Sequence, residues 1–176
     1  MTARARLVAG ALVVVFGAGL LVLALAAIVR SDDADGPVAA PLRDALTRAT
    51  PARAPFAGLM ETRVQIADRC LRVALADSEA ERAAGLRGNT ADLGPYDGML
   101  FVSRGDSSSA FTMSGVTDPL DIAWFGADGT RRDSAQMEPC ADSLEECPRY
   151  KPDERWRFAL EVPGGEMSGG NLTACS

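Results

Sequence analysis

The sequence predicts a mainly β domain, a compact antiparallel sandwich or partly closed barrel with one short helix, preceded by a single N-terminal transmembrane helix. Three observations carry that expectation. Short apolar strands recur at close spacing from Glu61 onward, separated by turn residues. Leu7 to Val29 is an unbroken apolar run. All four cysteines follow that run, at 70, 140, 147 and 175. The centre of the domain is Gly98 to Phe125, whose apolar segments a core of this size must bury.

The first segment, 1–30, reads as a membrane anchor. A helix over Leu7–Val29, roughly 23 residues, spans about 35 Å, enough for a hydrocarbon core of about 30 Å with some tilt. Arg4 and Arg6 precede it, and Asp32, Asp33 and Asp35 follow Arg30, which puts the N-terminus in the cytosol and the rest outside. The run exceeds the usual apolar core of a signal peptide, about 7–15 residues, so an uncleaved anchor is expected. The alternative is secretion after cleavage near Ala24-Leu25-Ala26. Residues 31–60, interrupted by Pro37, Pro41, Pro51 and Pro55, read as a spacer with one or two helical turns at Leu42–Thr47.

The extracytoplasmic domain is 61–176. Arg63–Ala67 and Cys70–Ala76 alternate polar and apolar around Asp68-Arg69, a hairpin with one buried face. Ser78 and Glu81 fit a capping box, opening a short helix that Gly85 ends. Strands are expected at Met99–Val102, Ala110–Met113, Leu120–Phe125 and Thr130–Met137, the last two joined by the turn Gly126-Ala127-Asp128-Gly129. Pro119 stands at a strand entrance, where its missing N–H costs nothing. Trp156–Val162 gives another strand, stopped by Pro163-Gly164-Gly165, and Leu172–Cys175 a last edge strand.

Composition removes several classes of function. The net charge is −6, which argues against a nucleic-acid partner, because such a partner needs clustered cations. There is no histidine, so Ser-His-Asp triads, Cys-His dyads and histidine-ligated metals are impossible within this chain. No cofactor and no metal are expected: no close cysteine pair suits zinc, and Met99, Met113 and Met137 sit in apolar strands, where methionine fills core gaps. The partner foreseen is the membrane, through the N-terminal helix; a ligand or protein partner is left open.

Several segments together carry a likeness. Leu75-Ala76-Asp77 leading into Glu81–Leu86, then Gly98–Phe101, Phe111 with Met113, Pro119–Ile122 and Leu160–Pro163 resemble domain of unknown function 192 across roughly Glu61 to Pro163. The resemblance implies a compact, mainly β domain of jelly-roll-like type, often exported or membrane-anchored, with no established activity. Where that family has Phe-Trp-Met-Lys-Asn-Thr, this chain has Phe111-Thr112-Met113-Ser114-Gly115-Val116.

The cysteines allow three pairings. The spacing favours Cys140 with Cys147 across a short polar loop, leaving Cys70 to Cys175 and the tail stapled to the domain. Asp121 opens an otherwise apolar strand, and such a carboxylate is either structural, fixing the Met113–Pro119 loop, or faces a ligand. The candidate ligand-binding residues are Phe111, Met113, Ser114, Asp118 and Asp121, where apolar strands meet an irregular loop. No catalytic residue is assigned. The expected function is a membrane-anchored, extracytoplasmic ligand-binding or envelope-associated module, with a small molecule or carbohydrate as ligand. The alternatives are a carboxylate-dependent enzyme using Asp121 with Asp118 or a nearby serine, and a protein-interaction module in an envelope assembly.

Overall fold

Alternation of side chains along Arg63–Ala76 does build a hairpin: β2 (Met60–Ile66) pairs antiparallel with β3 (Arg69–Ala76), Val64 opposite Leu71. In this computed structural model, which describes residues 37–88, 92–141 and 143–176, the reversal is made by Ala67 at φ 52°. The helix expected over Leu7–Val29 lies outside the described residues, among which no helix is long and apolar enough to cross a membrane.

The capping box forms as the sequence requires. Ser78 Oγ accepts from the Glu81 amide at 3.2 Å, and Glu81 Oε2 accepts from the Ser78 amide at 2.8 Å. The Ser78 amide, the chief of its donors, holds the Glu81 carboxyl below its ordinary range. Helix α2 (Glu79–Ala84) ends at Gly85, in the left-handed region at φ 54°. It serves as the crossover from β3 to β4 (Gly98–Ser107), which lie parallel with Leu75 opposite Leu100. Parallel neighbours cannot be joined by a tight turn, so a long connection is obligatory.

β5 (Leu120–Phe125) and β6 (Arg131–Met137) form the second hairpin, Gly126 donating to Thr130 O at 2.9 Å. β7 (Trp156–Pro163) then inserts between β4 and β5, antiparallel to both. With the two-residue β1 (Thr50–Pro51), the sheet order is β1-β2-β3-β4-β7-β5-β6, and β8 (Leu172–Ala174) also pairs with β2. The architecture is therefore one mixed sheet, not closed into a barrel, in place of the expected antiparallel sandwich or partly closed barrel. The expected strand at Ala110–Met113 reduces to an isolated bridge between Phe111 and Tyr150.

Two helices are found among the described residues, one of them where the sequence suggested one or two helical turns at Leu42–Thr47. In α1 (Ala40–Thr47), Leu42 and Ala45 are buried, and Thr62 Oγ1 donates to Ala45 O at 2.8 Å. Phe56 is also buried, its ring 5.3 Å from that of Tyr96. Residues 37–60, read from sequence as spacer, thus carry packed structure, and the compact unit extends over Gly36–Ser176. The apolar residues that the spacer reading passed over are too few to show a periodic face, but tertiary packing recruits them.

The core has two parts, one on each face of the central strands. Leu100, Ala123, Phe125, Phe158, Leu160 and Val162 belong to one, beneath Leu42 of α1. Met99, Phe101, Ile122, Trp124 and Ala159 belong to the other, against Leu86, Met113 and Val116 from the connecting loops. The disulfides are Cys70–Cys175 and Cys140–Cys147, with Cα atoms 5.6 and 5.9 Å apart.

Candidate functional site

The loop-covered face is not completely filled. A cleft of about 560 Å³ opens between the C-terminal end of α2, the segment around Phe111 and the sheet. That volume falls within the range usual for small-molecule sites, about 300–1,000 Å³. Its floor includes Glu161 of β7, which faces Met99 on β4 and Ile122 on β5 across the ladders.

Aromatic rings make one wall. Phe111 stands 5.0 Å from Phe101 with ring planes at 89°, and 5.3 Å from Trp156 at 47°. Trp156 is fixed by its indole N–H, which donates to Ser109 O at 3.0 Å. Phe111 is fixed by the main chain, donating to Tyr150 O at 2.7 Å and accepting from Tyr150 N at 2.9 Å. Gly115 donates to Cys140 O at 3.1 Å, so the wall rests on the segment that the Cys140–Cys147 disulfide closes. Gly115 has φ 75°, a conformation that favours glycine, and a Cβ there would touch the Arg87 stem at 3.8 Å. The mouth is therefore bounded by Arg87 on one side and this loop on the other.

Glu161 is the chemically unusual group. It is 6% exposed, and its carboxyl has no hydrogen bond or ion pair among the described residues. Burial alone raises its pKa from 4.5 to about 8, so the carboxyl is protonated at neutral pH. The other charged residues around the cleft are Glu79, Arg82, Arg87 and Arg149. Arg82 is positioned by donating to Val102 O at 2.9 Å. Ser103, Ser107, Ser109 and Thr112 add polar atoms to the lining. Such an enclosure can hold a ring or hydrocarbon against the aromatic wall while presenting one acid below and cations at the rim.

Of the five residues singled out from sequence, the structure brings two to the cleft, Phe111 and Met113. Ser114 is half-buried beside Cys140 and does not line it. Asp118 lies at the surface side of its loop, accepting from Thr117 Oγ1 at 2.8 Å. Asp121 is buried away from the cleft: its Oδ2 accepts from the amides of Gly165 at 2.9 Å and Met167 at 3.2 Å. It fixes the turn after β7, not the Met113–Pro119 loop, and borders a smaller depression of about 220 Å³. Its Oδ1 is buried without a partner. Asp118 does not line that depression, so the two aspartates are not assembled into one site.

Sequence reasoning passed over Glu161. The signal was present: Phe158-Ala159-Leu160-Glu161-Val162 is apolar but for the acid, and a strand without alternation is buried on both faces. An acid within it has no solvent side to point to.

The fold is shared with proteins of known structure. A Novosphingobium aromaticivorans protein of unknown function, solved as a crystal structure, is similar at TM-score 0.59 and 26% identity, over 71% of this chain and 93% of that one. A Sinorhizobium meliloti protein, described provisionally as a transcription regulator, is similar at TM-score 0.56 and 24% identity, over 65% of this chain and 93% of its own, a likeness of fold alone. No curated protein matches. The family model for DUF192, described as Uncharacterized ACR, matches residues 60–174, from the start of β2 to the end of β8, and the chain belongs to that family.

Proposed function

We propose that this chain is a ligand-binding protein that holds a small organic molecule in the Glu161 cleft, outside the cytoplasm and tethered to the membrane by residues 7–29. The observation that carries the binding reading is Glu161 itself. A carboxyl removed from water without a hydrogen-bond partner costs about 1–3 kcal/mol, and a polar ligand in the cleft supplies the missing partner. The location is supported by the two disulfides, which persist in oxidising compartments, and by the apolar run that precedes the domain. The alternative of an enzyme built on Asp118 and Asp121 gains no support, since the two do not share a cleft.

The test uses the full chain in nonionic detergent. Tryptophan fluorescence, with Trp156 in the cleft wall, is followed against a panel of cell-envelope glycans and small polar metabolites. Saturable binding that Glu161→Leu removes, with the near-ultraviolet circular dichroism unchanged, is the expected result. Silence across the whole panel would count against the reading.

A further inference from the structure

The ligand-binding reading leaves the ligand's chemistry open, and the charges around the cleft narrow it. Two features of the interior favour a cation. Glu161 offers a carboxyl that no group among the described residues satisfies. Beside it, Phe101 and Phe111 stand nearly perpendicular, 5.0 Å apart, with Trp156 tilted against Phe111. All three rings line the cleft, and aromatic rings attract ammonium groups. Phe101 lies on the same face as Glu161, one step diagonally across the β4–β7 ladder, so a single head group can meet both.

The mouth is of opposite sign. Among the described residues, Arg82 and Arg149 line it against one exposed carboxylate, that of Glu79. That balance repels a bare cation and draws an anionic group towards the rim. No single charge suits both ends.

Resting on the ligand-binding reading above, we infer that the cleft takes a zwitterion, its ammonium group against Glu161 and the aromatic corner and its anionic group at the arginines of the mouth. The binding step has a definite proton balance. The Glu161 O–H bond breaks, the proton passes to the buffer, and the resulting carboxylate pairs with the ammonium group. Between about pH 6 and about pH 7 each ligand bound therefore releases close to one proton. The groups that face this one from the surrounding elements are Glu79 and Arg82 on α2, Arg87 beyond it and Arg149 before Tyr150; the cleft-lining residues of β4 carry no charge.

A matched four-carbon series tests this: 4-aminobutyrate, butylammonium, butyramide and butyrate, titrated calorimetrically into the full chain in nonionic detergent. The zwitterion is expected to bind best and butylammonium next. Affinity for 4-aminobutyrate should rise about tenfold between about pH 6 and about pH 7 and level off above about pH 8. Buffers of different ionisation enthalpy should report the released proton. Glu161→Gln should weaken binding about thirtyfold or more and abolish the pH dependence, whereas Asp118→Asn, outside the cleft, should change neither. Arg149→Gln should reduce 4-aminobutyrate to the level of butylammonium. If butyramide or butyrate binds best, with flat pH dependence yet sensitivity to Glu161→Gln, the zwitterion is overturned while the cleft remains a binding site. Failure of both ammonium compounds at ~10 mM, a Kd scale of only a few kcal/mol, also overturns it. Absence of any response across the wider panel removes the binding site itself.

Discussion

The two faces of the central sheet each bury one acid, and they treat it differently. Asp121 shares a face with Ala123, Phe125 and Val162, and one of its oxygens is held by two main-chain amides. Glu161 shares a face with Ala159, Ile122 and Phe101, and meets a cleft and no donor among the described residues. The two are almost equally inaccessible, at 5% and 6% exposure, so burial alone does not separate an acid that the fold satisfies from one that it leaves open. The distinction lies in whether the fold itself provides the partner.

The sharpest way to break this contrast is pH. The folded Glu161 carboxyl is raised from 4.5 to about 8, so between those values the folded state binds a proton that the unfolded state has lost. Its contribution to stability is intact below about pH 4.5 and declines by up to roughly 1.4 kcal/mol per pH unit until about pH 8. Chemical denaturation of the wild-type chain and of Glu161→Gln should diverge across that window, and parallel curves would refute the buried, unpartnered acid. Next in size is the direct exchange of roles. Asp121→Ala strands the Gly165 and Met167 amides and should cost about 3 kcal/mol. Glu161→Leu strands nothing, so its midpoint should hold or rise while ligand binding disappears.

A smaller effect separates the cleft wall from the Asp121 turn. Replacing Cys140 and Cys147 by serine frees a short loop, at a cost of about 2.5 kcal/mol in the chain-entropy model. Amide exchange should quicken at Gly115 and stay slow at Gly165 and Met167, because Gly115 donates to Cys140 O and the other two donate to Asp121. The smallest is Ser78→Ala, which removes the cap of α2 and should cost about 1 kcal/mol. Its ligand affinity should fall without any change at the Asp121 turn.

Local rules made much of the fold legible. The β2–β3 hairpin follows from alternation, α2 from its capping box, β5 and β6 from apolar content and a glycine-bounded turn. The cysteine pairing followed from loop length, since Cys140 and Cys147 are near neighbours and leave one other pair. Non-local decisions were not legible. Nothing local states that β3 and β4 run parallel, or that β7 parts β4 from β5. The Ala110–Met113 segment has strand composition, but only Phe111 finds a bridging partner. For the site, Phe111 and Met113 were read from their place beside an irregular loop. Glu161 was hidden because its environment comes from four segments distant in sequence, and Asp121 drew attention instead because an acid at a strand entrance is conspicuous.

The sheet order also bears on how the molecule is made. Because β7 sits between β4 and β5 yet emerges last of the three from the ribosome, a nascent chain carries two bare edges at its centre until near the end of synthesis. A chain stopped before Trp156 lacks both that keystone and the acid of the cleft. Assembly of the sheet and creation of the cleft are thereby a single late event, and any partly made product is an aggregation hazard without a cleft.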